Sequence, residues 1–270
     1  MDQLITFLKN IPEYSALVQA VKKNQSAAVT GVGQINRSHL IAGLRQDLSA
    51  PLVLICQDDM AARRLQEELK AFLGAHAPIL PSRELTLYDS AVVSRAWEQK
   101  RLRQLYALRS GHSPVQILTW KSLSQRTIPP AALLQAAFTM QTGTEYILED
   151  LVTRLVHAGY SRCAMVEGPG QFAVRGGILD IYSPAEDRPF RCEFFGDELD
   201  TMGYFDPDTQ RRTENVEQVT ILPVGETQPR LHPEGLEGLC QDIAGMIARQ
   251  RRRKNPNEDL IRTLEKDLHK

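Results

Sequence analysis

Gly168-Pro-Gly-Gln-Phe-Ala-Val-Arg-Gly-Gly-Ile-Leu-Asp-Ile-Tyr182 is followed by Arg188-Pro-Phe-Arg-Cys-Glu-Phe-Phe-Gly-Asp-Glu-Leu-Asp200 and by Phe205-Asp-Pro-Asp-Thr-Gln-Arg211. These segments read as strands joined by tight turns. Phe190, Cys192 and Phe194 alternate with Arg191, Glu193 and Phe195, a period of two. The first set predicts a core face, and the second puts a cation, an anion and a large ring on the other face. In the preceding strand Phe172 and Val174 are expected to point in, Ala173 and Arg175 out. Gly176-Gly177 breaks the alternation and reads as a bulge. Beyond it Leu179 and Ile181 return to the core face. Strand parity therefore gathers Arg175, Arg191 and Phe195 on one outward surface. An exposed ring among arginines is the composition of a contact site. An ordinary solvated sheet face has the same pattern, and periodicity leaves both readings open.

This stretch resembles domain 2 of the UvrB and Mfd proteins of bacterial nucleotide excision repair, with wording closer to Mfd. That family reads Gly-Glu-Phe-x-x-Arg-Gly-Gly-Ile-Leu-Asp-Ile-Phe-Pro, then Arg-x-Glu-Phe-Phe-Asp-Asp-Glu-Ile-Asp, then Phe-Asp-x-x-Thr-Gln-Arg. Gln171, Tyr182-Ser183 and Gly196 depart from it and leave the Arg and Phe positions intact. In the family this domain docks UvrA. The resemblance implies that role for Arg175, Arg191 and Phe195. Asp197 and Glu198 are either charge pairs at the rim or caps of the following turn.

The 270 residues suffice for two domains, and the formal net charge of -1 does not indicate a globally basic nucleic-acid binder. Hydrophobic content of 42% suits a packed core. No apolar run approaches the ~20 residues of a membrane span. The opening Met1-Asp-Gln-Leu4 carries no signal-like stretch, so a cytoplasmic protein without membrane partners is expected. Cys56, Cys163, Cys192 and Cys240 are widely spaced, which argues against zinc and disulfides alike.

Along the chain, residues 1 to 25 have helical spacing, in two stripes led by Leu4, Phe7, Leu8 and Ile11, then Tyr14, Leu17, Val18 and Val21. Ala27-Ala-Val-Thr30 reads as a short strand. Helices and strands then alternate through Leu40–Leu48, Pro51–Cys56, Leu65–Phe72, Pro78–Leu80, residues 95 to 110 and Val115–Thr119, which predicts a parallel sheet flanked by helices. The strand, loop and helix at 27 to 48 sit where a phosphate loop of pattern G-x-x-x-x-G-K-[ST] belongs. Gly31 fills its first position, Asn36 replaces the second Gly, Arg37 replaces Lys, and Ser38 remains. Arg is planar and bulkier than the Lys point charge, and Asn36 adds a side chain where phosphate approaches. The loop is thus a degenerate Walker A, with weak anion binding at the helix start left open. Leu54-Ile-Cys-Gln-Asp-Asp59 imitates a Walker B strand, but an Asp capping the next helix is the better reading. Between Leu85 and Arg109 there is no room for the aromatic β-hairpin with which UvrB grips damaged DNA, a shortcut that Mfd shares.

Thr127-Ile-Pro-Pro130 marks the exit from the first domain, and Val219-Thr-Ile-Leu222 the return. The tail is helical, with Leu236, Leu239, Ile243 and Ile247 in one stripe and a basic run from Arg249 to Lys254. That run reads as a solvated helix end or as a nucleic-acid contact.

The expected architecture is α/β: a degenerate RecA-like, P-loop-NTPase-like domain over 1–128, an inserted small α+β domain like UvrB domain 2 over 129–222, and a helical return segment over 223–270. The family resemblance implies a module of a transcription-repair coupling factor that docks UvrA. It implies no ATPase activity, catalytic residue, metal or cofactor in this stretch. RNA polymerase and double-stranded DNA would be met by other parts of the full-length family protein, an ATP-dependent DNA translocase. The alternative is an ATP-dependent, DNA-binding repair enzyme like UvrB.

Overall fold

The computed structural model describes residues 2–83, 96–111, 113–226 and 234–268. Helices α1 (Asp2–Leu8) and α2 (Pro12–Lys22) are split by Pro12, which opens α2 where its missing N–H costs no hydrogen bond. Both pack on α3 (Gln34–Asp47) through Leu8, Tyr14, Val18, Leu40 and Leu44. The approach is close at Gly43, where a Cβ would lie 2.5 Å from Leu8 Cδ1. Lys9 and the Tyr14 hydroxyl both reach Asp47, at 3.0 and 2.7 Å, and tie the two elements.

Strand β1 (Leu52–Cys56) leads into α4 (Asp59–Leu73). Asp58 caps α4 by accepting from the Ala61 N–H at 2.8 Å, as the capping reading expects. Gly74, at φ 71°, ends the helix. After α5 (Ala96–Arg109), β2 (Val115–Thr119) pairs parallel with β1, and Ile79 bridges the other side of β2. The turn of helix α6 (Trp120–Leu123) follows, closed by a Thr119–Ser122 capping box. The strand expected at Ala27–Thr30 does not form. Residues 25–30 carry no ladder and lie exposed over α2 and α3. Two alanines give that run little strand preference, and β1 takes its hydrogen bonds from β2 alone among the described strands.

Helix α7 (Pro130–Ala136) leads to β3 (Phe138–Gln141) and α8 (Leu148–His157). The next strands are β4 (Ser161–Arg162), β5 (Gln171–Arg175), β6 (Ile178–Ile181), β7 (Phe190–Phe195), β8 (Glu198–Phe205) and β9 (Arg212–Asn215). They form one sheet in that order, antiparallel except for the β4–β5 pair. Strand β10 (Gln218–Ile221) pairs antiparallel with β3. Phe172, Leu179, Ile181, Phe190, Cys192, Leu199 and Met202 form the inner face, packed on Leu151 and Leu155 of α8 and on Met140 and Val219. Burial pushes the Cys192 thiol pKa up, as expected of an inert core cysteine.

Gly176-Gly177 is not a bulge. Arg175 pairs with Ile178, so the two glycines are a two-residue hairpin turn, with Gly176 at φ 59°. The irregularity lies one hairpin further on. Glu193 pairs with Thr201 and Phe194 with Leu199, so Asp200 of β8 is the extra residue and β7 keeps its alternation. Ala173 leaves the inner face as predicted, but it is buried there under Val166 and Phe205.

The chain closes with α9 (Gly235–Arg251) and α10 (Glu258–Leu268), joined by an Arg251–Glu265 ion pair. Ile247 of the expected stripe is buried, whereas Leu236 is exposed. Among the described residues no helix is long and apolar enough to cross a membrane.

Candidate functional site

The outer face of the six-stranded sheet carries the predicted residues. Arg175 ends β5, and Arg191 is the second residue of β7. Between these strands, on β6, sits Asp180, directly across from Arg191 in register. Its carboxylate is 0% exposed. Arg191 grips it with two donors, Nε to Oδ1 at 2.7 Å and Nη2 to Oδ2 at 2.9 Å. Arg175 donates from Nη2 to the same Oδ2. One buried anion thus holds two cations from the strands on either side, in the charge-assisted geometry that is stronger than a neutral hydrogen bond.

The two arginines differ in access. The Arg191 side chain is 19% exposed, and its guanidinium carbon stands 4.9 Å from the centre of the Phe205 ring. Hydrogen bonding to Asp180 raises its pKa against the opposing effect of burial. The Arg175 side chain is 46% exposed.

Phe195 is the last residue of β7 and is 83% exposed. It is held by its neighbours rather than by its ring. Phe194 N–H donates to the Gly177 carbonyl at 2.8 Å, which locks the β5–β6 and β7–β8 turns together. Gly177 permits this approach, since a Cβ there would lie 3.0 Å from the Phe194 oxygen. Gly196, at φ 64°, makes the second two-residue turn. Asp197 and Glu198 stand exposed on it. Their backbone is engaged, with the Asp197 carbonyl accepting from Tyr146 N–H at 2.7 Å and Glu198 bridging Glu145.

Two residues of this face went unread in the sequence. Asp180 shares strand parity with Arg175 and Arg191, and a lone carboxylate inside Ile-Leu-Asp-Ile was the signal. Arg212 of β9 lies across Gly203 and reaches Glu193 and Thr201, both at 3.3 Å. No sequence spacing points to it.

The degenerate phosphate loop is elsewhere. Gly31 adopts φ 77° and Gly33 is the N-cap of α3. Asn36 and Arg37 are exposed in its first turns. Ser38 is buried, and its hydroxyl donates to Glu68 of α4 at 2.8 Å. The basic residues of the run from Arg249 to Lys254 are all exposed, including Arg251, which pairs with Glu265. The shortened link around Tyr88 to Arg95 lies outside the described residues. Among the described residues no cluster of His, Cys, Asp or Glu is arranged to hold a metal ion.

Residues 138–226, which contain this entire face, match the family described as the UvrB interaction domain. The chain carries a UvrB interaction domain. Over 231 residues it is 32% identical to the transcription-repair-coupling factor of Myxococcus xanthus, covering 80% of this chain and 19% of that protein. The corresponding factor of Bacillus subtilis is 27% identical over 92% of this chain and 21% of its own length. That of Escherichia coli is 32% identical over 79% of this chain and 18% of its own. Outside that domain too the chain is similar to one segment of transcription-repair-coupling factors, and it spans about a fifth of the length of the curated relatives it matches.

Proposed function

We propose that this module docks UvrA and so recruits nucleotide excision repair to stalled RNA polymerase, through the outer face of its UvrB interaction domain. One observation carries the reading. A phenyl ring, Phe195, is presented to solvent from a rigid hairpin end, on the face where two arginines share one buried carboxylate. A fixed, exposed aromatic beside partly desolvated arginines is the make-up of a binding hot spot. Asp197 and Glu198 form the acidic rim of that surface.

The first part of the chain, residues 1–128, is in this reading a RecA-like domain that has lost nucleotide binding. The parallel β1–β2 pair with its helices supports that descent, and the engagement of Ser38 with Glu68 supports the loss. Residues 129–222 are the inserted docking domain, and 223–270 the return to the first domain. RNA polymerase, double-stranded DNA and ATP-driven translocation belong to other parts of the full-length cytoplasmic family protein. A UvrB-like ATP-dependent enzyme would need the Ser38 hydroxyl free for magnesium.

Capture of this chain by immobilised UvrA tests the docking reading. Phe195→Ala and Arg191→Ala are each expected to weaken retention by about 2 kcal/mol or more, roughly thirtyfold. Retention equal to that of the unchanged protein by both variants would exclude the site.

A further inference from the structure

We infer that Asp180 is a positioning residue of this surface: it fixes both guanidinium groups before the partner arrives and leaves Arg175 as the cation that receives a carboxylate of the partner. The inference rests on the docking reading above and assigns the work within it.

Three features of the geometry carry it. Asp180 is fully buried and accepts from two strands at once, so it sets the spacing of both cations. Arg191 spends Nε and Nη2 on that carboxylate and covers Phe205 with its plane, which leaves it little surface to offer. Arg175 gives one Nη to Asp180, and no other described group accepts from its guanidinium. Nearly half of its side chain faces solvent. Two guanidinium groups and one carboxylate leave a single net positive charge, which suits one partner carboxylate. Arg191 keeps only Nη1 and one Nη2 hydrogen for a second anion, on a side chain that is 19% exposed. Arg175 is the more accessible of the two, with 46% of its side chain exposed. The ordering of both side chains is already complete, and that lowers the entropy lost on binding.

The partner's carboxylate therefore meets a prearranged donor, and loosening the arrangement acts on dissociation. Asp180→Asn keeps the size of the side chain and turns one acceptor into an NH2 group that faces a guanidinium. It also makes the face more positive, so attraction of an acidic partner does not weaken. With UvrA as the partner, dissociation is expected to accelerate about tenfold, and association is expected to hold or rise. Arg191→Lys keeps the charge and loses the bidentate grip, and the same split is expected. This second variant decides the matter if Asp180→Asn does not fold. A purely structural role would lower the competent fraction, seen as slower apparent association with dissociation unchanged, and that result overturns the inference. Phe195→Ala, altered at an exposed ring, separates the two levels. Faster dissociation for Phe195→Ala alone overturns the role of Asp180 and spares the docking surface. Unchanged binding by Phe195→Ala together with unchanged binding by Arg191→Ala overturns both.

Discussion

Arg101 of α5 and Glu226, just beyond β10, form an ion pair with side chains 1% and 0% exposed. Nε and Oε1 approach to 2.6 Å, yet the angle falls outside hydrogen-bond geometry, so the contact is chiefly a charge pairing. Arg83 closes on the other oxygen at 2.8 Å, Arg101 Nη1 donates to the Pro81 carbonyl at 2.7 Å, and Glu98 accepts from the Glu226 N–H at 2.7 Å. Removing one partner of such a pair leaves a buried charge alone. Glu226→Gln is expected to lower the stability of the chain by about 3 kcal/mol in urea unfolding. Replacing both Arg101 and Glu226 by apolar residues should cost less than the single change. A single change within about 0.5 kcal/mol of wild type would show the pair to be idle.

The Ser38–Glu68 contact predicts indifference to nucleotide. Millimolar ATP with magnesium should leave the thermal midpoint unmoved, because the hydroxyl that would hold the metal is committed to α4. Ser38→Ala should destabilise by about 1 kcal/mol, the usual net worth of such a bond. A midpoint that climbs with ATP concentration would contradict the reading of the loop.

Asp47 gives a pH dependence. Burial works to raise its pKa, but the Tyr14 hydroxyl and Lys9 outweigh it and hold the group below the ordinary 3.8. A depressed carboxylate stabilises the fold fully above its unfolded value and loses that contribution as pH falls through the folded one. Asp47→Asn should therefore be less stable than wild type at pH 7, and the gap should close in acid below about pH 3.8. Denaturant midpoints at pH 7 and pH 3 measure it. An equal gap at both would remove Asp47 as the cause.

Gly203 carries a steric prediction. An added Cβ would meet Arg212 Nε at 2.3 Å and the Glu214 carbonyl at 2.8 Å. The arginine can swing away but the backbone of β9 cannot. Gly203→Ala should cost about 1–3 kcal/mol and loosen the β8–β9 pairing. Unfolding curves with exchange rates of the Asn215 and Glu214 amides would report it.

The sequence makes the inner face of the sheet legible, because Phe172, Leu179, Ile181, Phe190 and Cys192 obey a period of two that a bulge on β8 does not disturb. It also exposes Phe195. What it hides is lateral. Strand parity says which face a residue takes, not what lies beside it, so the sharing of Asp180 by two arginines appears only once β5, β6 and β7 are in register. The burial of Ala173 is hidden for the same reason, since Val166 lies in the irregular segment before β5 and Phe205 comes from the far end of β8. Gly176-Gly177 misleads because a glycine pair serves a bulge or a turn equally, and only the Arg175–Ile178 pairing decides. Ala27–Thr30 reads as a strand from its neighbourhood, but a strand needs a partner as well as a composition.

The docking surface is tested most directly by hydrogen–deuterium exchange of this chain with and without UvrA. Exchange is expected to slow at the two hairpin ends, residues 175–178 and 195–198, with α9 and α10 unchanged. Protection confined to α9, α10 or the first helices, with those hairpin ends exchanging as in the free chain, would contradict it.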